Sequence, residues 1–375
     1  MKIVFSFDSF KGGMSARAAC EAARKALLAR HSDCSCVALP MGDGGEGTAD
    51  AMMGAMNGTW RAVRTMGPLP DLEADSGFAW FEDRGLALVE MAKSSGLPLV
   101  PEDRRNPLLT TTYGTGQLLA EAMRADASKI WLAVGGSATV DGGVGAAMAL
   151  GWKFLDRNGS PIGFGGGELE RIEKVIAPAR QQWPEVEVLC DVDNPLCGEQ
   201  GAARMFSPQK GASPEMVERL ETGLTHLAGI VKEQLGKNIA DIPGAGAAGG
   251  LSAGAAAFLN ARLVSGINTV IAATGFEHEL ADADWVVTGE GSFDAQSLCG
   301  KVISGILRVA KKTKTRIAVI AGTVKLAEEE WRRAGISAAL QLREPGMTIP
   351  ESIAREPELL NARIAEFAKR NLVIN

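Results

Sequence analysis

Histidine is scarce in this chain: His31, His226 and His278 are the three present among 375 residues, far apart and without metal-ligand spacing. That excludes a zinc centre built on histidines and a histidine-based catalytic triad. The six cysteines, at positions 20, 34, 36, 190, 197 and 299, include no CxxC pair, and Cys34 and Cys36 would share one face of a strand. They read as reduced, packed residues rather than a disulfide framework. No apolar run reaches the roughly 18 residues of a membrane span. The opening MKIVFSFD has one lysine before a brief apolar run and then an acid, so it lacks the pattern of a signal peptide, and a cytoplasmic protein is expected. Basic runs are missing and the net charge is −6, which argues against a nucleic-acid surface. No GxxxxGK[ST] precedes Lys237 or Lys301, which excludes a Walker A loop.

What the chain does have is length for two domains, ordinary hydrophobic content at 46%, and glycine-rich loops. The most informative is residues 130–145, IWLAVGGSATVDGGVG. The apolar start has the length of a buried strand, and residues 146–150 can begin a helix. The loop would then lie at the carboxyl end of a strand and the amino end of a helix, where backbone N–H groups are unpaired and partly positive. Gly135, Gly136, Gly142 and Gly143 allow close approach to a ligand, and Ser137 and Thr139 add hydroxyls, so phosphate is the natural guest. Asp141 would repel bare phosphate, which calls for either an intervening metal or a hydrogen-bonding role inside the loop.

Organisation follows from rhythm. A strand at 2–7, helix at 15–29, strand at 34–39 and helix at 48–56 form a βαβα pattern and therefore a parallel sheet. Ser15 is the expected N-cap, with Glu21 and Lys25 as an i,i+4 pair. From 59 to 91 short alternating runs, WRAVRTM, SGFAWF and LALVEM, read as antiparallel strands of a new domain. The middle third adds a poorly structured stretch at 158–167, a strand at 186–190 and a helix at 214–235. After residue 265 the βα rhythm returns, with strands at 285–288, 317–321 and 338–342 and helices at 302–312, 326–334 and 351–369. The expected fold is α/β: a Rossmann-like parallel-sheet domain built from both chain ends (1–60 plus 266–375), with an inserted mixed α/β domain (61–265) and the active site in a cleft between them.

Further loops carry charge at strand ends. Asp8 and Lys11 in DSFKGG put an acid and a base three residues apart. GDGGEG at 42–47 matches GxGxxG, as does the 244–249 segment of PGAGAAGG, but Asp43 and Glu46 disfavour an unshielded pyrophosphate and suit Mg2+ or substrate hydroxyls. CDVDNP at 190–195 ends a strand with Asp191 and Asp193, close to Lys210 in SPQKG. A carboxylate beside lysines suits phosphoryl transfer. In TGEGSFDAQS, from Thr288, Glu290 and Asp294 are metal or substrate candidates, and Lys301 could meet phosphate.

Taken in order, nine segments resemble the type-1 glycerate kinase family across the whole chain: DSFKGG, MGDGGEGT, TTYGTG, GGSATVDGG, FGGG, CDVDNPLCG, PQKGA, PGAGAAGG and TGEGSFDAQS. Phe7, Gly13, Gly42 and Ser207 depart from the family's usual residues and bear on loop rigidity. The resemblance implies an ATP- and Mg2+-dependent kinase of D-glycerate, with ATP and D-glycerate as small-molecule partners and the 2-hydroxyl as acceptor. Transfer to the 3-hydroxyl, or a nucleotide-dependent oxidoreductase suggested by the GxGxxG matches, are the alternatives, and a homo-oligomer is compatible with the sequence. Assigned by chemistry, Asp191 is the base, Asp8, Lys11 and Lys210 complete the catalytic set, and Gly135, Gly136, Ser137, Thr139, Gly142, Gly143 and Lys301 bind nucleotide phosphate. Asp43, Glu46 and Asn194 bind substrate, and Asp43, Glu290 and Asp294 are the Mg2+ ligands.

Overall fold

The computed structural model describes residues 1–10, 12–179, 182–298 and 301–372. Its strands in chain order are β1 (Lys2–Phe7), β2 (Ser35–Ala38), β3 (Thr59–Met66), β4 (Glu73–Phe81), β5 (Leu86–Glu90), β6 (Lys129–Ala133), β7 (Lys153–Leu155), β8 (Lys174–Ile176), β9 (Glu185–Leu189), β10 (Arg262–Val264), β11 (Trp285–Gly289), β12 (Ser292–Phe293), β13 (Arg316–Ala321), β14 (Thr323–Val324) and β15 (Ala338–Gln341). They belong to two compact units. The first comprises Met1–Asp43, Asp50–Asn57 and Ile267–Asn375, the second Gly44–Ala49 and Gly58–Gly266.

The first unit holds a five-stranded, wholly parallel sheet in the order β15-β13-β11-β1-β2. In chain order within the unit this is 2-1-3-4-5, the doubly wound topology whose switch point lies between β1 and β11. Alternation decides which side chains face which layer: Ile3, Phe5 and Phe7 of β1 and Trp285 and Val287 of β11 join Ala19, Ala23 and Leu27 of the Ala16–Leu28 helix and Leu360, Ile364 and Phe367 of the Glu356–Asn371 helix in one core. Trp285 and Phe367 meet edge-to-face at 5.1 Å.

Ser15 caps the first helix as its sequence position implies, its Oγ accepting from Ala18 N at 3.3 Å. Replacing Ser15 by alanine is expected to cost about 1 kcal/mol in urea denaturation, and no measurable loss would show that the cap contributes nothing. Glu21 pairs with Arg24 rather than Lys25, taking both Nε and Nη2 at 3.1 and 2.9 Å, because the guanidinium fork delivers two donors to one carboxylate. The single C-terminal helix expected at 351–369 is two, Ile349–Ala354 and Glu356–Asn371. Pro357 in the first turn of the second lacks the N–H that a continuous helix would need.

The second unit is built on a six-stranded sheet in the order β10-β9-β6-β5-β4-β3. As the alternating pattern implies, β3, β4 and β5 are antiparallel, but β5, β6, β9 and β10 run parallel. Their register aligns Glu90, Ala133, Leu189 and Val264 side by side, so the four loops that follow leave the sheet along one edge. The Pro214–Leu235 helix is capped by Ser213 and closed by Gly236 at φ 69°. It packs Leu220, Leu224, Leu227 and Val231 against Val140, Val144, Leu196 and Phe258. The Tyr113–Arg124 helix, which the TTYGTG segment did not announce, lies against Val144–Ala149. A Cβ on Gly116 would sit 2.3 Å from Ala146 O, so only glycine permits that approach.

Candidate active site

The residue 134–143 loop leaves the carboxyl end of β6, as its sequence implies, yet its two glycine pairs do different work. Gly136 is exposed just beyond the strand end, whereas Ser137 is buried. Gly142 and Gly143 are buried and their N–H groups are already taken: Gly142 N donates to Gly249 O at 3.0 Å and Gly143 N to Asp141 Oδ1 at 3.1 Å. Gly145 N reaches Asp141 Oδ2 at 3.3 Å, and Ala146 N reaches Thr112 Oγ1 at 2.9 Å. The anion expected at this helix start is therefore the chain's own carboxylate. Asp141, fully buried, also accepts from Thr112 N at 2.7 Å and from the hydroxyls of Thr111 and Thr112. Of the two roles open to it, hydrogen bonding inside the loop is the one the fold uses, and the assignment of Gly142 and Gly143 to phosphate binding is corrected accordingly. Burial pushes the Asp141 carboxyl up, opposed by these donors.

Lys210, 2% exposed, lies behind this loop. Its Nζ donates to Ser137 Oγ at 2.7 Å and to Thr139 O at 2.8 Å. Thr139 is itself buried, which removes its hydroxyl from any phosphate and leaves its carbonyl as the lysine's partner. Burial lowers the Lys210 ammonium to about 7, with Asp141 pulling it back up. Because the folded protein then binds fewer protons than the unfolded chain from about pH 7 to the ordinary lysine value of 10.5, stability should climb with pH across that window. In Lys210→Met this rise disappears. The stability difference between wild type and variant, measured in urea from pH 6 to 10, should shift in the wild type's favour as pH rises. A difference that stays constant with pH would show that Lys210 is not held against its own charge.

On the neighbouring strand end, Asp191 follows β9 and its Oδ1 accepts from Ser265 Oγ at 2.6 Å, Ser265 coming from the end of β10. Asn194 is drawn into the turn: its Nδ2 donates to Gln200 O at 2.8 Å and its carbonyl accepts from Gly246 N at 3.0 Å. Its side-chain amide nitrogen thus holds backbone in the turn. The 243–250 segment, the second GxGxxG match, is tightly packed: a Cβ on Gly249 would lie 2.0 Å from Thr139 O.

The Gly44–Ala49 segment crosses the same strand ends. Gly44, at φ +88°, would place a Cβ 2.8 Å from Leu189 Cβ, and a Cβ on Gly135 would fall 2.6 Å from Gly45 Cα. Glycine is required at Gly44 for backbone to pass over backbone, a packing reason for that position of the GxGxxG match. Glu46 stands exposed on this segment. Glu90, at the end of β5, lies in a run whose alternation marks only a strand; Lys93, one helical turn later, stands 3.9 Å from it.

In the first unit, Asp8 and Glu290 flank the switch point at the ends of β1 and β11, with Asp8 N bonded to Gly289 O at 2.9 Å. Burial raises the Glu290 carboxyl, with Asp43 and Asp294 adding to the shift and Ser297 and Lys301 opposing it. Glu290 Oε1 is buried without a partner. Asp294 is committed to a turn, its Oδ1 accepting from Gln296 N at 3.1 Å while its own N–H donates to Ser297 Oγ. Among the described residues no three His, Cys, Asp or Glu side chains are grouped to hold an ion, so Asp43, Glu290 and Asp294 form no preformed cage. Lys301 caps the Val302–Thr313 helix through its backbone. Lys11 lies outside the described residues.

The glycerate kinase family model matches residues 3–371. The chain belongs to the glycerate kinase family. It is 44% identical over 376 residues to a glycerate kinase of Halalkalibacterium halodurans, covering 99% of this chain and 97% of that one. With the glycerate 2-kinase of Escherichia coli it shares 43% identity over 327 residues, 86% of each chain. A crystal structure from Salmonella typhimurium LT2, assigned as a candidate glycerate kinase 2, superposes with a TM-score of 0.86 at 38% identity over 98% of this chain and 97% of that one. The second unit sets the Asp191 carboxylate and the residue 134–143 loop at the ends of neighbouring strands. No helix among the described residues is long and apolar enough to cross a membrane.

Proposed function

We propose that this glycerate kinase transfers the γ-phosphoryl group of ATP to the 2-hydroxyl of D-glycerate, giving 2-phosphoglycerate and ADP. The observation that carries the reading is the register of the second sheet. Parallel strands β6 and β9 are neighbours, about 4.8 Å apart, so the loop bearing Gly135, Gly136 and Ser137 and the carboxylate of Asp191 leave the same edge side by side. In this reading Asp191 accepts the proton of the attacking hydroxyl, oriented by Ser265 Oγ. The backbone at Gly136 and Ser137 receives phosphate oxygens, and buried Lys210 stiffens that loop through Ser137 and Thr139 and supplies positive charge behind it. Glu46 would meet the hydroxyls of the substrate.

Asp43 and Glu290 fit a Mg2+ ion better than a cage would, because Mg2+ is usually held by one or two carboxylates together with phosphate oxygens and waters. The partnerless Glu290 Oε1 is the acceptor such an ion calls for. When bound, Mg2+ would neutralise phosphate charge. Asp8 and Lys301, near the same strand ends, would orient the first unit's loops.

Phosphorus NMR of a mixture of the enzyme, ATP, Mg2+ and D-glycerate tests activity and regiochemistry together. A new phosphate-ester signal split into a doublet by one carbinol hydrogen is the expected product. A triplet would assign the 3-hydroxyl, and unchanged ATP resonances would overturn the reading.

A further inference from the structure

Glu90 is 1% exposed at the carboxyl end of β5, in register with Ala133 at the end of β6. Its Oε1 accepts from Ala49 N at 2.7 Å, in the first turn of the Thr48–Met56 helix, and Gly47 N also supports it. Its Oε2 is buried with no hydrogen-bond partner, and the half-exposed Lys93 stands 3.9 Å away. A carboxylate brought from another element thus satisfies an N–H that the helix start would leave orphaned. Three strand ends fix one short segment: β9 through the contact of Gly44 with Leu189, β6 through Gly135 N on Gly44 O at 3.5 Å, and β5 through Glu90. The first two are close approaches of backbone. The third is a side chain buried at an energetic cost, since burial raises its carboxyl and Glu46 adds to the effect against the opposing Ala49 and Gly47 N–H groups and Lys93.

We infer that Glu90 is a positioning residue for the acceptor substrate: by reaching Ala49 N it pins the Gly44–Ala49 segment over the strand ends and so fixes where Glu46 stands. This rests on the reading of Glu46 as a glycerate contact. Reach, rather than charge, is what the geometry demands, and the two separate cleanly. Glu90→Asp keeps the charge but withdraws the acceptor by one methylene, while Glu90→Gln keeps an acceptor at the same reach and loses the charge.

Steady-state kinetics of both variants, with amide hydrogen exchange at Gly47 and Ala49, make the test. Glu90→Asp should raise KM for D-glycerate at least fivefold, leave kcat and KM for ATP within about twofold, and speed exchange at the two amides. Glu90→Gln should stay within about twofold of wild type in every respect. The reverse order of defects, silence in both variants, or an equal loss in kcat and both KM values with a lowered melting temperature would each overturn the inference. The exchange measurement needs no turnover, so a wild-type enzyme inert toward D-glycerate would count against the proposed function, and unchanged exchange in Glu90→Asp against the pinning itself.

Discussion

Replacing Asp191 by asparagine is expected to lower kcat by about 10²- to 10⁴-fold, the range in which a positioned general base contributes, while nucleotide affinity changes little. Asparagine keeps the shape and can still accept from Ser265 Oγ, which now meets Asp191 Oδ1 at 2.6 Å, so the turn at the end of β9 should survive. What it loses is the ability to take a proton. Asp193, two residues on, is exposed and cannot substitute from its place on the turn without moving the backbone. Turnover of Asp191→Asn within threefold of wild type, with ADP binding intact by calorimetry, would remove Asp191 as base. A parallel fall in folding stability would assign it a structural part instead.

The second large effect concerns stability. Asp141→Ala should destabilise the protein by about 4 kcal/mol or more in urea denaturation. The substitution strips the acceptor from the N–H groups of Thr112, Gly143 and Gly145 and from two threonine hydroxyls, all inside the protein. Each buried donor left unpaired costs about 1–3 kcal/mol, and Lys210 would lose the negative charge that favours its ammonium. Water entering the vacated space would offset part of this, which is why the sum of the separate penalties overstates the loss. A loss below 1 kcal/mol would mean that the loop repacks without its hub.

The two substitutions separate roles that looked similar from residue types alone. Asp141 and Asp191 both follow strands in glycine-rich or turn-forming segments, and both are acids near phosphate-binding candidates. One is fully enclosed and saturated with donors, and the other is half-buried at the sheet edge. Nothing in local spacing distinguishes them, because the partners that enclose Asp141 come from residues 111–112, about thirty positions earlier.

Amphipathic periodicity carried the element boundaries well. The strand at Lys2–Phe7 and the helices at Thr48–Met56 and Pro214–Leu235 stand where apolar spacing and caps put them, since those signals act within a turn or two of chain. The α/β class followed from the βα rhythm for the same reason. The Tyr113–Arg124 helix carries no such signal, because no side-chain cap marks its start and its first turn is buried against residues distant in sequence, among them Met66, Ser94 and Ser95.

By itself, then, the sequence determined the α/β class, the strand ends on which chemistry can be placed, and, through nine ordered motifs, the glycerate kinase family. Only the tertiary structure decided which glycines make room for packed backbone and which stand at the surface, that Asp141 serves as the hydrogen-bonding hub of its loop, and that Glu90 holds the Gly44–Ala49 segment. The physical reason is range. Periodicity and caps are set by neighbours a few residues away, whereas desolvation and hydrogen-bond satisfaction depend on whatever the fold brings near, and in this protein those partners lie from about thirty to more than seventy residues apart along the chain.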